Sequence, residues 1–221
     1  MADHQGAIFL EGEGDRWFTR NADALASAER VAEDAPMRML AAIPDFAPRR
    51  VLEVGCSSGW RLAALRDRHG CAVTGVEPSA QAIAAGRALY GDMDLRRGLS
   101  RALPIDAAET FDVVIVSFVF HWVSRDALLP SMAEIDRVLE AGGYLVVHDF
   151  LPDAPTRRRY HHLADGMVFT YKQDMAEPFL ATCLYRRVGR EIGEHGAPPG
   201  NAVPSSENRT SCDVLVKVSS S

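Results

Sequence analysis

Apolar residues in this chain come in short blocks punctuated by glycine, proline and small polar residues, and the blocks read alternately as buried strands and amphipathic helices. Val51-Leu52-Glu53-Val54 runs into Gly55, and a helical pattern begins around Trp60 and Arg61. Leu62, Leu65 and the intervening alanines carry that helix to His69-Gly70, where Gly70 fits the residue just past a helix end. Residues 71–76 read as a second strand that stops at Glu77-Pro78-Ser79, with Ser79 placed to cap a helix over 80–89. Residues 95–98 predict a short third strand. The β-branched run 111–117 predicts a central fourth strand, of the kind buried on both faces of a parallel sheet. A helix over 125–139, with Met132, Ile135 and Leu139 on one face, ends at Ala141-Gly142-Gly143, and residues 144–150 form strand five. Residues 182–188 and 214–218 read as a closing pair of strands joined by the Gly/Pro/Ser-rich loop 193–210.

The flanks of this core are less regular. Residues 1–24 hold Ile8-Phe9-Leu10, an acidic glycine-rich patch and Trp17-Phe18, and read as an arm that docks on the domain or folds over a cleft as a lid. Residues 22–43 predict two helical pieces broken near Pro36, because the residue before proline is pushed out of the α region. Between strand five and the closing pair, residues 151–180 carry Arg157-Arg158-Arg159-Tyr160-His161-His162, Tyr171-Lys172 and Phe179. The basic triplet reads as a solvated helix face in preference to an anion clamp. The expected organisation is one domain over 1–221: an N-terminal helical arm or lid (1–45), a core (49–150), a substrate-selecting insert (151–180) and the closing strand pair (181–221).

Composition narrows the class. With 221 residues, 47% of them hydrophobic, the chain is long enough for one α/β domain with a sizeable core. A net charge of −6 and a pI near 5.6 supply no basic field for a polyanion, so neither nucleic acid nor an anionic membrane is an expected partner. Cys56, Cys71, Cys183 and Cys212 are widely spaced, which favours reduced, mostly buried thiols over a zinc site or a disulfide framework. No signal peptide or membrane span is expected from the acidic N-terminus, and a cytoplasmic monomer or homodimer is the expectation.

The candidate chemistry centres on Glu53-Val54-Gly55-Cys56-Ser57-Ser58-Gly59. A strand, a tight turn and a helix start let backbone approach a ligand at Gly55 and Gly59, with N–H groups of the helix start facing it. The dinucleotide fingerprint G-x-G-x-x-G needs two further glycines where Ser57 and Trp60 stand, which argues against an ordinary NAD site. The string closely resembles motif I of class I S-adenosylmethionine-dependent methyltransferases, with Ser57 at the usual middle glycine. Glu77, about 20 residues on at the end of the second strand, suits a carboxylate that accepts both hydroxyls of a ribose. The resemblance continues through Leu99 to Pro104, through Ser117-Phe118-Val119-Phe120-His121-Trp122, and through the leucine–glycine–glycine unit 137–145.

The resemblance implies a Rossmann-like α/β fold: a seven-stranded, mostly parallel sheet with helices on both faces and an antiparallel C-terminal strand. It implies S-adenosylmethionine as cofactor and S-adenosylhomocysteine as product. Cofactor contacts are expected from Glu53, Gly55, Cys56, Ser57, Gly59, Glu77, Pro78, Leu99, Ser117 and Phe118. Leu99 stands where a polar residue often reads the adenine amine, so adenine is expected to rest on backbone groups and apolar packing. A sulfonium methyl is already activated, so the protein has to align donor and acceptor and, for a hydroxyl or amine, remove a proton. His121 is the first candidate base, against a bland reading as a packed structural histidine, and His148, His161 and His162 follow. Trp60, Phe118 and Trp122 offer apolar walls. Trp17, Trp122, Tyr160, His161 and Tyr171 are the candidate substrate contacts, pointing to a small polar acceptor such as a sugar or a natural-product intermediate. No metal is expected. A nicotinamide oxidoreductase and a cofactor-binding module without methyl transfer remain the alternatives.

Overall fold

The computed structural model describes residues 3–25, 34–163, 168–196 and 205–218. Five parallel strands form the core of the sheet: β1 (Arg50–Val54), β2 (Ala72–Glu77), β3 (Asp94–Arg97), β4 (Phe111–Ser117) and β5 (Leu139–Phe150). Two more follow, β8 (Tyr185–Glu194) and β9 (Arg209–Lys217), after a small separate hairpin of β6 (Thr156–Arg159) and β7 (Phe169–Lys172). The sheet order is β3-β2-β1-β4-β5-β9-β8. β9 lies antiparallel to both β5 and β8. Because the order reverses between β1 and β4, their carboxyl ends part and leave the crevice in which open α/β sheets take ligands.

Period-two alternation assigns successive residues of the central strands to opposite faces. Leu52, Val54, Val114, Val116 and Leu145 face Met132, Ile135 and Val138 of one helix, α6 (Arg125–Val138). Val51, Val113, Ile115 and Val146 face Met37 and Leu40 of α3 (Ala35–Ala41), Leu62 and Leu65 of α4 (Trp60–His69), and Ile83 of α5 (Ala80–Tyr90). Each such side chain, fully buried, is worth about 1.5–3 kcal/mol of transfer free energy, so these two layers hold the strand tips in place.

Several expectations need correction. Pro36 lies in the first turn of α3, where its missing N–H costs nothing, so it starts a helix and does not break one. The cap is Asp34, whose carboxylate accepts from the Met37 N–H at 3.1 Å; residues 26–33, where the preceding piece was expected to continue, lie outside the described residues. The basic triplet sits on β6, not on a helix, paired through Thr156–Arg159 with β7. α6 ends at Val138, and Leu139 already pairs with Phe111, so Ala141-Gly142-Gly143 is a bulge inside β5; Gly142 adopts φ 80° there. The closing strands are longer than their apolar blocks: β8 begins at Tyr185 and continues to Glu194, because pairing with β9 satisfies its backbone where the side chains are polar.

The N-terminal segment lies across the crevice. It comprises α1 (His4–Ile8), a π-helical turn (Phe9–Glu13) and α2 (Gly14–Leu25). Polar anchors tie it down. The Gln5 amide bonds the carbonyl of Trp122 and both backbone groups of Phe169, and Asp15 accepts from the Ser79 hydroxyl at 2.6 Å and from the Gln81 N–H at 3.0 Å. The fully buried carboxylate of Glu13 accepts from the Tyr160 hydroxyl at 2.8 Å and pairs with Arg16 and Arg20.

Candidate active site

The turn after β1 is folded back on β2. The N–H groups of Gly55 and Cys56 donate to the Val76 carbonyl, that of Ser57 to Glu77, and that of Gly59 to the Cys56 carbonyl. These four groups are therefore spent within the protein. Gly55 has φ 74°, and a Cβ there would lie 2.3 Å from Val119 Cγ2, so no side chain fits without moving the β4 tip. Ser57, at φ 52°, holds the left-handed conformation with a side chain in place.

What the turn presents is side-chain oxygen. Glu53 and Arg61 are buried together: the guanidinium pairs with Glu53 Oε1 and, at 2.9 and 2.8 Å, with both oxygens of Asp34. One cation thus serves two carboxylates. Glu53 Oε2 and the Ser57 hydroxyl are buried with no hydrogen-bond partner. Burial pushes the Glu53 carboxyl up to about 7 against the pull of Arg61, with Asp34 and Glu77 adding to the rise. Asp34, half-buried, is held below the usual carboxylate range by the same guanidinium against the cost of its desolvation. Orphaned buried acceptors are costly, and this pair looks onto a cavity, which is where a ligand's ammonium would relieve them.

Glu77 closes the other end. Its two oxygens accept from the Ser57 and Ser79 N–H groups, each at 2.9 Å, which fixes the carboxylate toward the crevice. Burial raises this carboxyl to about 7 as well. A cavity of about 150 Å³ opens beside it, walled by Val54, Val76, Pro78, Leu99 and Val123 and roofed by Phe9, Gly14 and Trp17 of the N-terminal segment.

Ser117 and Phe118 separate this cavity from a larger one of about 1290 Å³. Phe118, at φ 55°, turns its ring into a cluster with His148 (4.4 Å between ring centres), His195 (5.0 Å), Phe150 (5.4 Å) and His121 (6.1 Å). His121 is buried and lines the larger cavity. Asp149 Oδ1 accepts from its Nδ1 at 2.9 Å and Oδ2 from its backbone N–H at 3.1 Å, which leaves Nε2 as the ring nitrogen for chemistry. His148 contacts Ser117 Oγ through Nδ1 at 3.2 Å, and burial pushes its imidazole down to about 4. His195 is lowered by burial first, then by the charges of His121 and Lys172.

Comparison with known proteins agrees with this geometry. The model of the methyltransferase domain family matches residues 52–147, from β1 to β5. Over that stretch the chain is similar to methyltransferases. An uncharacterized methyltransferase of Mycobacterium bovis is 30% identical over 122 residues, covering 55% of this chain and 48% of that protein. The O-methyltransferase resE of Aspergillus sclerotiorum is 28% identical over 138 residues, covering 58% and 51%. The chain spans about half the length of the curated relatives it matches. The 1,6-didemethyltoxoflavin-N1-methyltransferase of Burkholderia thailandensis, solved with its namesake compound and S-adenosylhomocysteine, superposes with a TM-score of 0.72 over 99% of this chain and 92% of that one. At 17% identity that likeness is one of fold.

Of the residues expected to hold a cofactor, Glu53, Gly55, Cys56, Ser57, Glu77, Pro78, Leu99, Ser117 and Phe118 all line one cavity or both. Gly59 lines neither: it caps α4 at φ 73°, with Met93 3.0 Å from where a Cβ would be. On the acceptor side Trp17, Trp60, His121, Trp122, His148, Tyr160, His161 and His162 line the larger cavity. Tyr171 does not. Alternation along β7 turns Thr170 and Lys172 to the cavity, while the Tyr171 ring packs 4.7 Å from the Arg125 guanidinium. The substrate role expected for Tyr171 is withdrawn on that ground. Asp34, Arg61 and His195 line the larger cavity and went unnoticed as site residues in the sequence, whereas Lys172 was read there, beside Tyr171, as pointing to a polar acceptor. Among the described residues no group of three or more His, Cys, Asp or Glu side chains is gathered to hold a metal, and no helix is long and apolar enough to cross a membrane.

Proposed function

We propose that this chain transfers a methyl group from S-adenosylmethionine to a nucleophilic atom of a small molecule held in the larger cavity. The observation that carries the reading is the pair of orphaned buried oxygens, Glu53 Oε2 and Ser57 Oγ, beside a glycine whose Cβ position is filled by Val119. That set fits an amino-acid ammonium. Glu77 would take the ribose hydroxyls, and Val76, Pro78, Leu99 and Val123 would sandwich the adenine, with no polar side chain at Leu99 to read its amine. The bound cofactor supplies an electrophilic methyl.

The protein's own part is alignment, drying and proton removal. Phe118 stands between the two cavities, where its ring face would attract a sulfonium by about 0.5–2 kcal/mol. The N-terminal segment roofs both cavities and acts as a lid that keeps water out. His121 takes the acceptor's proton on Nε2, and Asp149 holds Nδ1–H in the tautomer that makes this possible. His148 is a weaker base at working pH, because burial already holds it neutral well below 7. The division into lid, core (49–150), insert and closing pair follows from the same assignment, as does a cytoplasmic setting in which the cofactor is supplied.

Thermal melting in the presence of S-adenosylhomocysteine, and of NAD in parallel, tests the reading. A ligand at 100 times its dissociation constant adds about 2.7 kcal/mol of stability, a shift of several degrees. Stabilisation by NAD alone would overturn it.

A further inference from the structure

Resting on the methyltransferase reading, we propose that the acceptor carries a carboxylate, seated at Lys172 on β7, while its nucleophilic atom faces His121. Lys172 lines the larger cavity half-buried, and its ammonium forms no ion pair among the described residues; its recorded polar contact is the backbone carbonyl of Glu207 at 2.8 Å. The carboxylate of Glu207 is turned to Arg158 instead. Glu191, which shares the cavity wall, is paired with Arg38. The ammonium lies 3.5 Å from the centre of the Phe150 ring, and that ring's centre lies 5.1 Å from that of His121. Charge and base therefore pack on the same aromatic ring and line the same cavity, so that one small acid carrying a nucleophile can address both.

The surroundings leave that cation under-compensated. Burial lowers the Lys172 pKa and the neighbouring Arg158 lowers it further, more than the nearby carboxylates of Glu207 and Asp149 raise it. The Arg159 side chain, exposed at the same rim, forms no ion pair among the described residues. One half-buried cation without a carboxylate partner suits a singly charged acid better than a dianion. The chain's net charge of −6 makes the local excess of positive charge a property of this wall and not of the surface at large.

The test is titration of the protein saturated with S-adenosylhomocysteine. The probes are hydroxybenzoate, hydroxyphenylacetate and hydroxyphenylpropionate, each against its carboxamide and its phosphonate. At least one acid should bind about 10-fold more tightly than its amide, a charge-assisted contact of about 1.4 kcal/mol. Lys172→Met should abolish that preference, Lys172→Arg should retain it, and both variants should bind S-adenosylhomocysteine like the parent. Equal binding of acids and amides, no binding by any pair, or a preference that survives Lys172→Met overturns the proposal. Tighter binding of the phosphonates overturns the carboxylate. Failure of the unaltered protein to bind S-adenosylhomocysteine would bring down the methyltransferase reading, and this one with it.

Discussion

At the tips of β1 and β2 the site is built from neighbours in sequence, locked by hydrogen bonds that the protein supplies to itself: Gly55 to Val76, Ser57 and Ser79 to Glu77. Across Phe118 the opposite wall is assembled from β5, the β6–β7 hairpin, the end of β8 and the N-terminal helices, and much of it is histidine and arginine near solvent. The first region is stiff because its turn N–H groups and the Glu77 carboxylate have fixed partners and Gly55 has no room for a Cβ. The second can change one side chain without disturbing the sheet. On the proposed reading the rigid end would fit one cofactor while the composite end is free to vary with the acceptor.

Substitutions should separate the two ends. Gly55→Val forces a side chain into Val119 at a positive φ, so it should cost several kcal/mol of stability and abolish S-adenosylhomocysteine binding, read by melting and calorimetry. His121→Ala should lower methyl transfer about 10²–10⁴-fold while cofactor binding is unchanged, and Asp149→Asn should act in the same direction. Unchanged turnover in His121→Ala would remove it as the base.

A pH series sharpens the contrast. Glu53 and Glu77 are each raised to about 7, above the ordinary carboxyl value of 4.5, so the folded state holds more protons than the unfolded one between those limits. Stability of the ligand-free protein should therefore fall as pH rises from about 4.5 to about 7, by up to about 1.4 kcal/mol per unit for each group, and level off above. Glu77→Gln should flatten part of that slope. The same ionisation readies Glu77 to accept ribose hydroxyls, so S-adenosylhomocysteine should bind more tightly as pH passes through 7. The smallest effect belongs to Tyr171→Ala: turnover should stay within about twofold, and stability should drop by about 0.5–1 kcal/mol with the lost Arg125 contact.

The cofactor end was largely legible in the chain, and the reason is local. A buried strand, a turn that demands glycine and an acid at the next strand's tip are each written in consecutive residues, at spacings set by backbone geometry. Ser57 shows the limit of that reading: its left-handed backbone and unpartnered hydroxyl appear only once the turn is seen folded onto β2. β8 was misjudged for a related reason. Its polar outer half has no apolar signature, and pairing with β9 made it a strand.

The chain by itself determined the order of strands and helices in the 49–150 core, the glycine turn, Glu77 and the position of His121 at a strand end, because burial and dihedral constraints act between near neighbours. The fold alone decided that Asp149, 28 residues away, would hold the His121 ring, that Asp34, 27 residues away, would share Arg61 with Glu53, and that Glu13 would meet Tyr160 across 147 residues. Such pairings depend on where loops deliver a side chain in space. No periodicity along the sequence encodes that, so the acceptor wall became visible only when its distant segments were brought together.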